Sequence, residues 1–247
     1  MKLSNNQIKL INSLHSKKGR IDNNLFLVEG EKAIKELLDS PFEILLIVLN
    51  NREINTILNL RDIPTYFESK SNVIKYSSLT TNEFGFAIVK SIIYEIEEFD
   101  FSNGYTVVLD GIRDPGNLGT ILRICDWYGI NQIVCSLDTT EFYNPKVVSA
   151  SMGSFLRTKF YYVDLSVFLN QFDDISIIGA TLNGQNLHTY KFPSKAFIIF
   201  GNESEGIRST LNGSLTDQVK IPNWGMAESL NVAISAGIIL DNIKRQG

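Results

Sequence analysis

The chain has 247 residues, 44% of them hydrophobic and 20% charged, which is enough for one large domain or two smaller ones. Its formal net charge of −4 and its pI near 5.3 exclude a globally basic protein, so any nucleic-acid binding must come from local patches. Its two cysteines show neither metal-ligand spacing nor a disulfide framework, which is typical of a reducing cytosol. Because the N-terminus is too polar for a signal peptide and no apolar run reaches membrane-spanning length, we expect a cytoplasmic protein.

The first part of the chain predicts a small α/β domain that begins with a basic amphipathic helix. Residues 1–20 carry five cations and no acid, with apolar residues at approximate helical spacing. Such a run is either a solvated helix face or a patch that contacts phosphates, and residues 1–20 alone favour the solvated face. Beyond it, strands and helices alternate. The strands are predicted at residues 25–30, 42–49 and 63–67, and the helices at 31–38 and 53–60.

An acidic stretch at residues 92–103 predicts a linker and places a domain boundary near residue 100. Beyond it, apolar runs alternate regularly with helical patterns, which indicates a mostly parallel sheet with helices on both faces. The strands are predicted at residues 105–109, 132–137, 160–163, 176–182, 196–200 and 219–221. The helices are predicted at residues 117–128, 145–155 and 165–172, followed by an apolar closing helix after Asn231.

Three polar, glycine-bearing loops each follow a predicted strand: residues 110–119, 201–206 and 221–231. In a parallel α/β sheet, ligands bind beyond the carboxyl ends of the strands. The third loop leads directly into a helix that is apolar on nearly every face and must therefore be buried. The sequence thus predicts a small-ligand site that these three loops build together.

The common nucleotide-binding fingerprints are absent from the sequence. No G-x-G-x-x-G follows the first strand, and no G-x-x-x-x-G-K-[ST] occurs anywhere, which disfavours a dinucleotide-binding enzyme and a P-loop NTPase. With His15 and His188 as the only histidines, no Ser/His/Asp arrangement presents itself, and both are interpreted as surface or loop residues. Cys125 and Cys135 are interpreted as core residues.

Three segments carry a family resemblance: NLGTILRICDWYGI, FIIFGNESEGI and IPNWGMAESLNVAISAGIIL. They resemble, in order, the three motifs of the SpoU/TrmH family within the SPOUT superfamily. Members transfer a methyl group from S-adenosylmethionine to a ribose 2′-hydroxyl of RNA. The segment LFLVEGEKAIKELL resembles the N-terminal RNA-binding domain, similar to ribosomal protein L30e, of longer members. Together the resemblance covers nearly the whole chain.

The resemblance implies an α/β protein of two domains. Residues 1–100 would form the L30e-like RNA-binding domain, and residues 101–247 the SPOUT methyltransferase domain with a parallel sheet. In that domain the last helix would thread through a loop to form a deep trefoil knot. Because knots are almost excluded by general topological rules, the knot follows from the resemblance alone.

The resemblance also implies catalytic positions, each with a structural alternative. Arg123 would be the catalytic arginine, although it could instead pair on a helix surface with Asp126. Since arginine resists deprotonation, we expect it to orient the ribose hydroxyl and stabilise developing alkoxide charge. The alternative role of Asn117, and of Ser229 and Asn231, is to cap a helix. The implied catalytic set is Arg123, Asn117, Glu203, Ser229 and Asn231.

The expected cofactor is S-adenosyl-L-methionine, held by loop backbone and apolar side chains, and the chemistry requires no metal. The implied cofactor-binding set is Thr181, Gly201, Asn202, Gly206, Ile221, Pro222, Met226, Ser229 and Leu230. The implied RNA-binding set is Lys9, Lys17, Lys18, Arg20 and Arg113.

The sequence therefore predicts an RNA 2′-O-ribose methyltransferase, with ribosomal RNA favoured as substrate by the two-domain layout. One alternative is a transfer-RNA 2′-O-methyltransferase of the same family. A second is a non-catalytic RNA-binding or ribosome-assembly factor on the same scaffold, which the joint presence of the five catalytic positions argues against. Because family members are typically homodimers, the resemblance also implies a homodimer, and no membrane partner is expected.

Overall fold

A computed structural model of the protein describes residues 2–51, 60 and 63–246, and the chain divides into two compact units. The first unit contains Met1–Ile93 and Glu141–Leu156, and the second contains Tyr94–Thr140 and Arg157–Gly247. No helix in the described part of the chain is long and apolar enough to cross a membrane. The predicted helix at 53–60 lies almost wholly outside the described residues.

The first unit has a four-stranded sheet of order β1-β4-β2-β3, in which only β2 and β3 pair in parallel. Its strands are β1 (Leu25–Glu29), β2 (Ile44–Leu49), β3 (Thr65–Phe67) and β4 (Gly85–Lys90). Its helices are α1 (Asn5–Ser13), α2 (Lys17–Asn23), α3 (Glu31–Leu38), α4 (Lys70–Tyr76) and α6 (Pro145–Ala150). The prediction of a small α/β unit here is confirmed.

The basic N-terminus forms two helices where the sequence predicted one. Ser4 caps α1 with a capping box that includes Gln7, and Ser16 caps α2 by accepting a hydrogen bond from Gly19 N. An added Cβ at Gly19 would lie 2.0 Å from the carbonyl oxygen of Ser13. Glycine is therefore required at the point where the two helices meet.

Residues Glu141–Leu156 join the core of the first unit. Tyr143 stacks on Phe26 with ring centroids 4.2 Å apart, and its hydroxyl donates a hydrogen bond to the carbonyl of Ile92. The predicted helix at 145–155 ends at Ala150, because Met152 and Gly153 both adopt positive φ angles, 52° and 94°.

The second unit is built on a six-stranded sheet of order β10-β8-β9-β5-β6-β7, in which every pair is parallel. Its strands are β5 (Gly104–Asp110), β6 (Gln132–Ser136), β7 (Lys159–Val163), β8 (Ser176–Asn186), β9 (Lys195–Gly201) and β10 (Asp217–Lys220). The central strands are buried apolar runs, as expected of a sheet that is covered on both faces. The predicted parallel α/β architecture is confirmed.

The helices of the second unit are α5 (Pro115–Trp127), α7 (Leu165–Leu169) and α8 (Val232–Lys244). Helices α5 and α8 run side by side in the same direction, because their contacts keep a nearly constant sequence offset. Asn117 meets Asn231 where the helices begin, Ile124 lies against Gly237 in the middle, and Tyr128 reaches Asp241 at the end. Cys125 and Cys135 are both buried in this unit, and burial raises the pKa of each thiol, so they serve as core residues.

Candidate active site

The loops that follow β5, β6 and β9 are joined by charged hydrogen bonds. Arg208 donates through its backbone N–H and its Nε to the buried carboxylate of Asp110, over 2.8 and 2.6 Å. Its Nη2 also donates to Asp138 Oδ1 over 2.8 Å. Asp110 is 1% exposed, so its charge is held in a buried position by this guanidinium.

The same contacts shift the proton affinities of these groups. Burial raises the pKa of Asp138, but hydrogen bonds from Ser136 and Arg208 outweigh burial, so the net shift is downward. The pKa of Arg208 is raised, chiefly by its hydrogen bond to Asp110. These loops are therefore held as a preformed frame at the carboxyl edge of the sheet.

The loop at residues 201–206 closes on itself. The backbone N–H and C=O groups of Asn202 pair with those of Gly206 over 3.0 and 2.9 Å. An added Cβ at Gly201 would lie 2.1 Å from the carbonyl carbon of Gly206, so only glycine permits this close return. The Asn202 side chain donates to the carbonyl of Gly111 over 2.8 Å and so joins this loop to the one after β5.

Asn117 joins all three glycine-bearing loops. Its Nδ2 donates to Glu203 Oε1 over 2.5 Å, and its Oδ1 accepts from Asn231 Nδ2 over 2.9 Å. Glu203 lies 86 positions and Asn231 114 positions after Asn117 in the sequence, yet the polar atoms of both contact Asn117 directly. This chain of side chains is the clearest candidate for the centre of the site.

The hydrogen-bond directions in this chain follow from the backbone at one end. Asn231 caps α8, so its Oδ1 accepts from the N–H groups of Ala233 and Ile234. Its Nδ2 must therefore donate to Asn117 Oδ1, which leaves Asn117 Nδ2 to donate to the Glu203 carboxylate. A helix cap thus orients a carboxylate across the site.

The capping alternative is confirmed for Asn231 but is wrong for Asn117 and Ser229. Asp114, not Asn117, caps α5, since Asp114 Oδ1 accepts from the backbone N–H of Asn117 over 2.8 Å. Ser229 does not cap α8 either; it is exposed and makes no hydrogen bond within the described part of the chain.

Arg123 lies on α5 but outside this hydrogen-bonded chain. It is six residues beyond Asn117, which places it about 9 Å along the axis and about 120° around the helix. Arg123 is exposed and has no acidic partner in the described part of the chain. The alternative pairing with Asp126 is wrong, because Asp126 accepts two-point hydrogen bonds from Arg157 instead. An uncompensated guanidinium on this helix is available for an anionic ligand.

The candidate cofactor residues lie at adjacent strand ends. Consecutive residues Gln218 and Val219 of β10 pair with Gly179 and Gln185 of β8, so residues 180–184 bulge out. Thr181 lies in this bulge and its Oγ1 donates to Gln218 over 3.2 Å, while Ile221 and Pro222 follow β10 directly. Bulges of this kind are common next to active sites.

Large apolar side chains are exposed on these same segments: Met226 is 99% exposed, Leu182 68% and Leu230 48%. Apolar side chains left in water at the end of a sheet provide a surface for an adenine ring and a methionyl chain. Together with the close-packed glycine turn at 201–206, they fit the chemistry of S-adenosylmethionine.

The candidate RNA-binding cations divide into two groups. Lys9, Lys17 and Lys18 are exposed and have no acidic partner in the described part of the chain. Arg113 is 65% exposed and lies 3.4 Å from Asp138. By contrast, Arg20 is 4% exposed and forms a two-point ion pair with Glu141, while its Nη1 donates to the carbonyl of Leu14. Arg20 therefore has a structural position, and its place among the RNA contacts is corrected.

Sequence reasoning missed Asp110, Ser136, Asp138 and Arg208. Ser136 accepts a hydrogen bond from Gly111 N and donates one to Asp138 Oδ1, so it links the loop after β5 to the loop after β6. A signal was present for Asp110, because a carboxylate ending a fully apolar strand needs a partner once it is buried. Within the described residues, no three His, Cys, Asp or Glu side chains come together in a way that could hold a metal ion.

Comparison with known proteins identifies the family. Residues 104–241 match the SpoU rRNA Methylase family, and residues 5–85 match the MRM3-like substrate binding domain. The first match covers more than half of the chain. The chain belongs to the SpoU rRNA methylase family. This SpoU methylase is thus an enzyme of the RNA methyltransferase class, as its three motifs predicted.

Two relatives of this SpoU methylase illustrate the extent of the similarity. The 23S rRNA (guanosine(2553)-2′-O)-methyltransferase RlmP of Bacillus subtilis is 28% identical over 244 residues, covering 97% of this chain and 96% of the relative. The 23S rRNA (guanosine-2′-O-)-methyltransferase RlmB of Neisseria meningitidis is 33% identical over 144 residues, 57% of this chain and 58% of the relative.

Solved structures are similar along the whole chain. A structure from Porphyromonas gingivalis, assigned to the TrmH family of RNA methyltransferases, has a TM-score of 0.90 at 31% identity and covers 100% of both chains. An AdoMet-bound rRNA methyltransferase from Sinorhizobium meliloti has a TM-score of 0.88 at 26% identity, covering 99% of this chain and 96% of that one.

Proposed function

We propose that this SpoU methylase transfers a methyl group from S-adenosylmethionine to a ribose 2′-hydroxyl of ribosomal RNA. The observation that carries the proposal is the hydrogen-bonded chain Glu203–Asn117–Asn231, which joins the three family motifs at one point. A folded protein without catalytic function has no need to orient a carboxylate through two amides at a solvent-facing strand edge. The non-catalytic alternative is therefore disfavoured.

In the proposed mechanism, the cofactor supplies an electrophilic methyl group on a sulfonium centre. Ile221, Met226 and Leu230 would contribute backbone and apolar contacts, while Gly201, Asn202 and Gly206 form a rigid turn at a neighbouring strand end. Thr181 and Pro222 would line the edge of the cofactor site. Preformed contacts would reduce the entropic cost of aligning the two reactants.

We assign Arg123 to the ribose and its flanking phosphate. An exposed guanidinium offers planar, two-point hydrogen bonding to phosphate oxygens and remains charged, so it can stabilise the alkoxide that develops at O2′. As the O–CH3 bond forms and the S–CH3 bond breaks, the hydroxyl proton would pass to solvent. Ser229 and the Glu203–Asn117–Asn231 chain are assigned to positioning the nucleotide and the loop that carries the cofactor.

The likeness to the Bacillus subtilis relative, which extends over 97% of this chain, supports 23S ribosomal RNA as the substrate. It favours ribosomal over transfer RNA. The first unit matches a substrate-binding domain, and the exposed lysines of α1 and α2 supply cations for RNA phosphates. Lys17 and Lys18 occupy the first turn of α2, where cations oppose the helix dipole, so stability does not explain them.

The proposal extends to the assembly and location of the protein. Arg123 lies away from Asn117 on α5, Trp127 is exposed about one helical turn after Arg123, and Ile234 is exposed on α8. These features support a homodimer in which a second copy completes the site. A cytoplasmic location agrees with a ribosomal substrate. The threading of α8 through a loop stays a prediction.

Methyl transfer from labelled S-adenosylmethionine to unmodified ribosomal RNA tests this function. We expect label in a single 2′-O-methylated nucleoside after enzymatic digestion and chromatography. Label in a methylated base, or equal labelling of transfer RNA, would contradict the proposal.

A further inference from the structure

Two aromatic rings stand together at the surface of the second unit. The rings of His188 and Trp224 are nearly parallel, with an interplanar angle of 20° and centroids 6.5 Å apart. His188 is exposed, and Trp224 is 86% exposed. A tryptophan that buries so little of its surface adds little to the stability of the fold.

Hydrogen bonds to Asn242 and Asn186 orient His188. Asn242 Nδ2 donates to the carbonyl of Ile238, so its Oδ1 faces His188 Nδ1 at 3.4 Å and can only accept. His188 therefore donates from Nδ1. The backbone N–H of His188 also donates to Asn186 Oδ1 over 3.0 Å. These hydrogen bonds hold the exposed ring in place on the surface.

The pair lies beside the end of β10, the strand that leads into the third glycine-bearing loop. The N–H of Leu187 donates to the carbonyl of Lys220 over 2.9 Å, which holds the His188 turn against the end of β10. Trp224 lies on the loop between β10 and α8, seven residues before Asn231. Seven residues span at most about 25 Å. Asn242, which contacts His188, lies eleven residues after Asn231, or about 16 Å along α8, so the pair lies within a few nucleotides of the Asn117–Asn231 contact.

Trp127 provides a natural comparison. It is 83% exposed, but it makes no ring contact with another aromatic side chain in the described part of the chain. Only Trp224 combines exposure, a parallel ring partner and a place on the loop that leads to Asn231. Single-stranded RNA is bound largely by stacking of splayed-out bases on rings of this kind, histidine included.

We propose that His188 and Trp224 form a stacking platform for an unpaired RNA base close to the methylated nucleotide. The inference rests on the proposed function, because it concerns the RNA substrate of that site. Stacking selects for an unpaired base and not for a particular one, since every base has a π-face. The platform would therefore favour a loop or a strand end over a double helix.

Fluorescence tests the platform without reference to catalysis. The chain has two tryptophans, so the full-length Trp127→Phe variant reports on Trp224 alone. We expect a short single-stranded oligoribonucleotide of mixed sequence to quench this fluorescence to saturation, and the same sequence in a duplex to leave it nearly unchanged. RNA binding in a filter assay with no quenching would overturn the platform.

Two other outcomes would also overturn it. Quenching by S-adenosylmethionine alone, together with loss of cofactor affinity in Trp224→Ala, would assign the ring to the cofactor pocket. A change of sedimentation mass in Trp224→Ala would assign it to an interface between copies.

Kinetics provide the second test, with Trp224→Phe as the matched control. We expect Trp224→Ala and His188→Ala to raise KM for RNA by roughly five- to one-hundred-fold. The Kd for S-adenosylmethionine should be unchanged, and Trp224→Phe should retain most of the affinity for RNA. If the wild type is active and Trp224→Ala is equally active, the platform is refuted while the proposed function stands. Absence of methyl transfer by the wild type would instead refute the proposed function, while the quenching experiment would still decide on the platform.

Discussion

Asn231 donates a hydrogen bond from its Nδ2 to the Oδ1 of Asn117, 2.9 Å away and 114 residues earlier in the chain. The same Asn231 caps helix α8 through its Oδ1. One side chain thus begins the closing helix and orients Asn117, which in turn orients Glu203. Asn231 therefore contributes both to the stability of α8 and to the geometry of the site, and two substitutions can separate these effects.

Asn231→Asp should abolish most activity while preserving the fold. An aspartate caps a helix as well as asparagine but cannot donate to Asn117. If Asn117 turns its amide to donate to the aspartate, it loses Glu203 instead. We expect methyl transfer to fall on the order of 100-fold, with little change in thermal stability. Asn231→Ala should lose both methyl transfer and the helix cap, with a cost of about 1 kcal/mol in unfolding free energy. Equal activity of Asn231→Asp and wild type would remove this contact from the mechanism.

Arg123→Ala should abolish methyl transfer and leave the affinity for S-adenosylmethionine nearly intact, because Arg123 is assigned to RNA. Arg123→Lys should recover little, since an ammonium group lacks the planar fork that binds phosphate at two points. Arg245→Ala is the matched control: Arg245 is 76% exposed at the C-terminal cap of α8 and pairs with nearby Asp241. Single-turnover rates and calorimetry provide the two readouts, and unchanged turnover in Arg123→Ala would exclude the assigned role.

Gly201→Ala should damage the cofactor turn, because the new Cβ would lie 2.1 Å from the backbone of Gly206. We expect a loss of about 1–3 kcal/mol in unfolding free energy and weaker binding of S-adenosylmethionine. Gly213→Ala is the control, since a Cβ there meets nothing within 4 Å. Denaturant unfolding and calorimetry would detect both effects, and a neutral Gly201→Ala would show that this loop is not closed as described.

Arg208→Gln should destabilise the second unit by about 2 kcal/mol at neutral pH, because it removes the guanidinium charge that pairs with the buried Asp110 carboxylate. The figure is below that for a fully buried pair because the Arg208 side chain is 42% exposed. The pKa of Asp138 is lower in the folded protein than in the unfolded chain, where it is near 4. Ionised Asp138 therefore stabilises the fold at pH values above about 4, and this contribution is lost as the pH falls through the folded pKa. The difference between variant and wild type should therefore shrink below about pH 4. A difference independent of pH would contradict this account of the frame.

Replacing Lys9, Lys17 and Lys18 together with Gln should weaken RNA binding and flatten its salt dependence. Each phosphate contact adds roughly 0.7–0.9 to the slope of log affinity against log salt. The control replaces Lys32, Lys35 and Lys70, which are already paired with acids. A filter-binding series over salt concentration measures the slope. An identical slope in the first triple variant would return these lysines to a solvated helix face.

The sequence predicted most of the strands and helices, because buried apolar runs and helical spacing are local signals. It did not predict β4 or helix α4. It also predicted which three loops share the site, since parallel strands end at one edge of a sheet. It could not predict that Asn117 joins Glu203 and Asn231, since those contacts depend on side-chain positions separated by up to 114 residues. The burial of Arg20 was missed for the same reason: its partner, Glu141, lies 121 residues away.

Similarly, no periodicity marked residues 141–156 as part of the first unit. That assignment depends on Tyr143 stacking on Phe26, a contact between distant parts of the chain. The knot is a further case, because topology is a property of the whole path and not of any segment.

The central claim is that this protein methylates a ribose 2′-hydroxyl in ribosomal RNA, and mapping ribose methylation across cellular RNA tests it most directly. The map compares a strain lacking the gene with strains carrying the wild-type or the Arg123→Ala protein. We predict that a single 2′-O-methyl group in 23S ribosomal RNA disappears on deletion, returns with the wild type and stays absent with Arg123→Ala. An unchanged ribosomal methylation map in the deletion strain would contradict the claim.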